Sequence, residues 1–496
     1  MSGSFGRTVL GLFLVLQGGL LLIASGRART VDEHSLHFMA ESLNERGSLA
    51  VPQLVAIRSF YGKLSVRGVP YAPYSPGQPM AAALYLRVLG PIFRAAAPRA
   101  SGESALLAHE AATGLLNTTL TALGAVLFLC AVRGLGVSIR RAVWSSALLI
   151  FSTPLIVYSK YSFSEPFLAA LVAGMILGLI LHDRGHPVGP WVAGFAVAGA
   201  IAVKFAVGGL LAAAAGLALV SRPEGRRPAA LIRFGLVPLC VLAAHLAWNA
   251  TRFGSLWDLG YPEAAELGRR LNDFDTPLVT GLFGLLLSPG KGLVLFAPAV
   301  CTALFGWRAV HRRTPTTSIA VLAFFSGSLL LYARYSAWEG GYCFGPRYLL
   351  PTLPGLFLGL PFMLASRRRR VALLLCAFGA LMQVPGVATS FAEDQMAGGR
   401  YYDAAYRYDL DYTPLGQWAL ALRYAPGLAN GSAWSEPLGL GLDFWFVFLV
   451  RAGFSRALMA VWFLCVAALL AMGVWLLRKR PEDPSRPDSG QVTSGR

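Results

Sequence analysis

The chain has 496 residues, 55% of them hydrophobic and only 14% charged, where soluble domains carry about 25% charge. With a mean hydropathy of +0.56, that balance excludes a disordered chain and a soluble globular domain. The solvent for most of this sequence is lipid. The 43 basic and 25 acidic residues give a formal charge of +18, which in a soluble protein would point to nucleic acid. Here the cations sit in short loops between apolar runs, at Arg133, Arg140 and Arg141; Arg222, Arg226 and Arg227; Arg308, Arg312 and Arg313; Arg367 to Arg370; and Arg478 to Arg480. That is the positive-inside pattern of a polytopic membrane protein, and no nucleic-acid partner is implied. The six cysteines are scattered without a CxxC pair, so neither a disulfide framework nor a zinc module follows from them.

A hydrocarbon core of about 30 Å takes about 20 helical residues to cross. Apolar stretches of about that length predict an all-α fold with about twelve spans, at 8–25, 107–132, 142–158, 164–182, 190–203, 205–220, 231–248, 291–307, 316–333, 346–366, 371–388 and 456–477. The first reads as a retained anchor, because no small-residue cleavage site precedes Asp32. The fifth and sixth meet at Lys204 and read as a broken or re-entrant pair. A cytoplasmic N-terminus puts every basic cluster on one side and leaves 26–106, 249–290 and 389–455 on the other.

Within the first outer loop, Glu33 to Arg46 predicts an amphipathic helix with Leu36, Met39, Ala40 and Leu43 on one face. Pro79 to Ala97 predicts a second, lying in the membrane interface. Between them, YAPYSPGQP (71–79) holds too much proline for a helix or a central strand. The chain thus divides into a membrane module over 1–390, an outer segment over 391–455, a last span over 456–480, and a polar tail over 481–496 predicted to be disordered.

The side chains able to carry chemistry fall on the outer side. Asp32 and Glu33 follow the first span, where a carboxylate meets lipid-borne and water-borne molecules. Adjacent helix residues do not face each other, so one suits a base and the other an orienting role. An acidic helix N-terminus complementing the macrodipole is the plainer reading. On the same helix His34, His37 and Glu41 are spaced to converge on a divalent metal, or are simply solvated. Glu165, in YSKYSFSEP, stands at the mouth of the fourth span, where an ionisable group is expensive, with Lys160 near enough in sequence to neutralise it. Lys291, in LSPGKGLVLFAP, is flanked by glycines that let a phosphate approach, or is a snorkelling lysine. In WEGGYCFGPRYLLP, Arg347 stands among Trp338, Tyr342 and Tyr348, a guanidinium for phosphate with aromatics for sugar faces or an interfacial belt. Asp403, Asp409 and Asp411 in RYYDAAYRYDLDY (400–412) add hydroxyl-binding chemistry.

Taken together, the DE pair after the first span, a long outer loop with two interface helices, the acid opening the fourth span, SPGKG and FGPRYLLP resemble the GT-C glycosyltransferase superfamily. Among its members, the bacterial protein O-mannosyltransferases and the lipid A aminoarabinose transferase are the most similar. The resemblance spans about residues 8–390. It implies a bacterial inner-membrane enzyme that moves a sugar from a polyprenyl-phosphate carrier to a lipid, glycan or protein acceptor on the outer face. Asp32 would match the first-loop catalytic acid and Glu165 the second acidic position. Lys291 and Arg347 would bind the donor phosphate, with Lys63 or Arg58 as the first-loop cation, and Tyr74, Trp338, Tyr342 and Tyr348 would contact sugar or acceptor. The resemblance implies no soluble cofactor and leaves a divalent metal open. A transporter or flippase of lipid-linked sugars is the alternative, and would place polar residues near the bilayer midplane, where only Lys204 and His245 are candidates.

Overall fold

Long apolar runs favour helices, and among the described residues seven of the twelve predicted spans form them, two carrying an internal proline (Pro238 and Pro385): Ser4–Ile23, Leu106–Gly134, Glu165–Asp183, Pro228–Phe253, Pro315–Arg334, Arg369–Ala388 and Met459–Arg478. The computed structural model describes residues 3–58, 60–97, 102–221, 227–262, 273–389 and 443–478, with 416, 418, 419 and 422 alone between the last two blocks. The run at 400–412 and the tail after Arg480 lie outside the described residues. Lipid-facing side chains are plentiful: Val279, Leu374 and Leu464 are 78%, 68% and 71% exposed, a surface that water would not tolerate across so many helices. The protein is an integral membrane protein.

The remaining five runs depart from single straight spans. The run at 142–158 becomes α7 (Ile139–Phe151) and α8 (Leu155–Tyr158), interrupted before Pro154. The run at 291–307 divides into Leu293–Phe296 and Ala299–Phe305 around Pro298. The run at 346–366 begins as a 3₁₀ helix, Arg347–Thr352, and continues as short helices Leu353–Leu356 and Leu360–Met363. Proline removes a backbone donor and clashes with the preceding turn, so Pro351, Pro354 and Pro361 break a segment that hydropathy alone reads as continuous. The last two, α10 (Gly189–Val203) and α11 (Phe205–Val220), are separated by Lys204 in an extended conformation, the broken pair that the sequence suggests.

The long connection after the first span holds both expected helices. α1 (Gly3–Ile23) leads to α2 (Val31–Arg46), which is followed by α3 (Pro52–Ala56), a two-residue hairpin of Lys63–Leu64 with Pro70–Tyr71, and α4 (Gly77–Ala96). The hairpin was not anticipated, and its brevity is what accommodates Pro70 at a sheet edge. Leu36 and Ala40 of α2 pack on Ala82 and Ala83 of α4. α5 (Gly102–Gly114) then continues into α6 (Leu116–Gly134), and α9 (Glu165–Asp183) packs beside α6. Asn117, at the start of α6, bonds the loop just before Glu165, whereas Arg133 lies at the other end, about 24 Å away along the helix. The basic end of α6 is therefore remote from the acidic mouth.

Close helix contact depends on small residues. At Gly281, in helix Leu278–Leu287, a Cβ would sit 1.9 Å from the Ala333 carbonyl oxygen of helix Pro315–Arg334. Gly281→Ala is expected to push these helices apart at a cost of about 1–3 kcal/mol, seen as a lower thermal unfolding midpoint of the detergent-purified protein. An unchanged midpoint would show that the crossing is looser than described.

Candidate active site at the helix mouths

The N-terminus of α2 is fixed by a capping box. Thr30 Oγ1 accepts from the Glu33 amide, and Glu33 Oε2 accepts from the amides of Thr30 and Arg29 at 3.2 and 3.1 Å. Glu33 Oε1 accepts from the Ser162 amide at 2.9 Å. Glu33 is 1% exposed. Burial raises its pKa above the ordinary carboxylate range, outweighing the opposing Arg29 charge and these amide bonds. It serves as a clamp between α2 and the loop ahead of α9.

Asp32, one position earlier, has a different environment. Its carboxylate accepts from Tyr74 Oη at 2.5 Å and from Arg347 Nη2 at 2.7 Å, and its side chain keeps 31% exposure. Burial works to raise its pKa, but the Arg347 charge, with the bonds from Tyr74 and Arg347, holds it below the usual value. Two adjacent carboxyls are thus driven apart in acidity by their surroundings.

Three further pieces of chain bring the partners in. Asn117 Nδ2 donates to the carbonyls of Tyr161 and Phe163 at 2.5 and 2.6 Å, and Gln78 Nε2 donates to those of Ser162 and Phe163 at 3.0 and 3.1 Å, fixing the loop from which Glu165 opens α9. Glu165 Oε1 accepts from Arg347 Nε and from Lys204 Nζ, both at 3.1 Å. The loop ahead of Arg347 turns through Gly340, Gly341 and Gly345, at φ values of 82°, 74° and 64°, where a Cβ would be strained. Arg347 stacks 4.0 Å over Phe163. The result is one chain of charge, Tyr74 to Asp32 to Arg347 to Glu165 to Lys204, drawn from five separate parts of the sequence.

Other expected site residues fall elsewhere. Lys291 is 1% exposed, and its ammonium donates to the carbonyls of Gly341 and Cys343 at 3.2 and 2.6 Å. It braces the loop that carries Arg347 in place of facing a ligand, because burial obliges it to bond the nearest carbonyls. Lys63 pairs with Asp258 at 2.9 Å. Arg58 is exposed, in the left-handed region at φ 54°. Trp338 is 1% exposed, its ring against Gly284, so it belongs to the core and offers no sugar platform. Tyr342 packs against the core, partly buried. Tyr348 stacks on Tyr332, centroids 4.2 Å apart, and lies under the Lys204 ammonium at 5.1 Å.

Lys160 does not neutralise Glu165. Its ammonium pairs with Asp443 at 2.7 Å, and Asp443 also pairs with Arg29. Burial pushes the Lys160 pKa down to about 8 against the pull of Asp443. These pairs tie the residues just before helix Trp445–Arg451 to the segment between α1 and α2 and to the loop ahead of α9. Lys204 joins the cluster of Asp32, Arg347 and Glu165 although no sequence motif singles it out. Its signal was a lone lysine inside a long apolar stretch, misread as a midplane charge because the break at 204 ends α10 level with the start of α9.

The expected trio of His34, His37 and Glu41 does not form. His34 turns to Glu110 at 3.1 Å, and His109 of α5 takes its place: donor atoms of His37, Glu41 and His109 lie within 4.8 Å of one another. Helical spacing alone could not supply a residue from another helix.

The described residues form a polytopic helical bundle with a mixed charge cluster at its helix mouths, and its fold is similar to that of a solved structure. Of solved structures, ArnT from Cupriavidus metallidurans in the apo state superposes with a TM-score of 0.51 at 14% identity, over 96% of this chain and 76% of that one. ArnT from the same organism bound to undecaprenyl phosphate gives a TM-score of 0.47 at 12% identity, over 96% and 78%. No protein-family profile and no curated protein matches the chain.

Proposed function

We propose that this protein is an inverting glycosyltransferase that moves a sugar from a polyprenyl-phosphate carrier to an acceptor at the non-cytoplasmic face. The observation that carries the reading is Arg347 bridging Asp32 and Glu165, 315 and 182 residues away in sequence. A guanidinium between two carboxylates, with Lys204 beside it, has no need to stand at a helix mouth for stability alone, since replacing such pairs with apolar groups is often neutral. The GT-C fold supports the same reading, and the positive-inside pattern supports the placement of the mouth outside.

The acceptor hydroxyl oxygen attacks the anomeric carbon, the bond from that carbon to the phosphate oxygen breaks, and the carrier phosphate leaves with the electron pair. The hydroxyl proton passes to Asp32. Arg347 and Lys204 stabilise the charge on the leaving phosphate, the role that the sequence reading gave to Lys291 and Arg347. In the donor-free protein Arg347 is engaged by Asp32. An arriving phosphate competes for that guanidinium and leaves Asp32 a stronger base. Glu33 and Lys291 act as positioning residues, and Tyr74 orients the Asp32 carboxylate. Broken apolar segments around the mouth give the isoprenoid tail a lipid-facing place to lie.

Deleting the gene tests the reading. Extracted membranes are expected to accumulate an unused polyprenyl-phosphate sugar, seen by mass spectrometry, and to recover on re-expression. Isolated sealed vesicles that instead show the donor trapped on the cytoplasmic side would favour the flippase. Against that alternative, Lys204 stands at the mouth with Glu165, and His245 stacks on the neighbouring Phe205 with centroids 4.9 Å apart.

A further inference from the structure

The His37, Glu41 and His109 group is outside the charge chain, and the transfer reading gives it no task. Thr113 Oγ1 donates to carbonyls of its own helix, at 3.2 Å to His109 and 3.1 Å to Glu110, so its lone pairs face His37 Nδ1 at 3.2 Å. Nδ1 is therefore the protonated nitrogen, and Nε2 carries the lone pair. That Nε2 is buried in a side chain 1% exposed and has no hydrogen-bond partner among the described residues, an uncompensated cost. A histidine whose other nitrogen donates to a fixed acceptor is the arrangement of a metal ligand.

His109 and Glu41 complete the set. Arg94 Nη1 meets His109 Nε2 at 2.7 Å, and since guanidinium only donates, His109 Nδ1 holds the proton and gives it to Glu41 Oε1 at 3.0 Å. Gln53 donates to Glu41 Oε2 at 3.1 Å. We propose that His37 Nε2, His109 Nδ1 and a Glu41 carboxylate oxygen bind one zinc ion, with water as the fourth ligand. Two imidazoles and a carboxylate are a donor set that zinc favours. On binding, the His109 proton moves from Nδ1 to Nε2 and the exposed Arg94 side chain swings out, so the ligand set keeps its proton count. Zinc bonds of about 2.0–2.1 Å draw the donor atoms closer than they now stand, a movement within reach of the partly exposed Glu41. The ion would join α2 to α5 two turns below Asp32, as a brace for the catalytic helix. The inference does not rest on the transfer reading.

The full-length protein, purified in detergent with a tag free of histidine, is stripped with EDTA, given zinc chloride and desalted. One zinc per chain is expected by mass spectrometry of the metal, with a higher thermal unfolding midpoint than the stripped protein. His37→Ala and His109→Ala should each weaken zinc binding by at least about tenfold and lose the thermal shift, while His34→Gln keeps both. Competition against a chelating dye reads the wild-type affinity without any variant, should one fail to fold. Wild-type protein that takes up no zinc, or His37→Ala and His109→Ala that bind it as wild type does, would overturn the proposal.

Discussion

Asp32→Asn is expected to lower sugar transfer by about 10²–10⁴-fold, the usual worth of a positioned general base. Asparagine preserves the shape, its one carbonyl oxygen still accepts from Arg347, and the Tyr74 hydroxyl can turn to accept from the new amide N–H, so the purified variant should fold and bind donor nearly as well as the parent. The loss should therefore appear in kcat and not in KM. Near-normal turnover would reject Asp32 as the base. The resting ion pair adds a pH signature. Because Arg347 holds the Asp32 pKa below its ordinary value in the free protein, the acid limb of kcat/KM lies below the ordinary carboxylate range. Once donor phosphate engages Arg347, Asp32 is released from that pair and its pKa rises, so the acid limb of kcat should lie at higher pH than that of kcat/KM. Coincident limbs would mean that phosphate binding leaves the pair intact.

Arg347→Leu is expected to abolish transfer and to destabilise the protein by about 3–5 kcal/mol, the cost of removing one partner from a buried pair. Glu165 is 1% exposed and Asp32 about one-third exposed, so the larger share falls on Glu165, with Lys204 left as its cation. Adding Glu165→Gln to Arg347→Leu should recover part of the lost thermal stability and none of the activity. A cycle of the two single variants and the double variant reads their coupling directly. Arg347→Lys is not conservative, because Nη2 and Nε reach two different carboxylates and one ammonium cannot reproduce that fork. Additive effects in the cycle would show that Arg347 and Glu165 do not share a network.

Much of the fold was legible without coordinates. Seven of the twelve spans expected from apolar length form as continuous helices among the described residues, the helical periodicity over 33–46 matches α2, and the second loop helix expected at 79–97 forms as α4. What misled was proline: the runs at 142–158, 291–307 and 346–366 have the hydropathy of spans, yet Pro154, Pro298, Pro351, Pro354 and Pro361 interrupt them. In the site, Asp32, Glu165 and Arg347 were recognisable as ionised groups at helix mouths, where their cost demands a reason. The division of labour between Asp32 and Glu33 was not, because it depends on Arg347 and on the amide of Ser162, neither of which is near in sequence.

The sequence by itself determined that this is a membrane-embedded helical protein, because hydropathy and helical period are local properties. Only the tertiary structure decided which cation meets which carboxylate. Lys204 and not Lys160 pairs with Glu165, Lys291 is turned inward to backbone carbonyls, and His109 replaces His34 beside His37. Ion pairs and ligand sets depend on distances of a few ångströms between segments as much as 315 residues apart, and no local pattern encodes those distances.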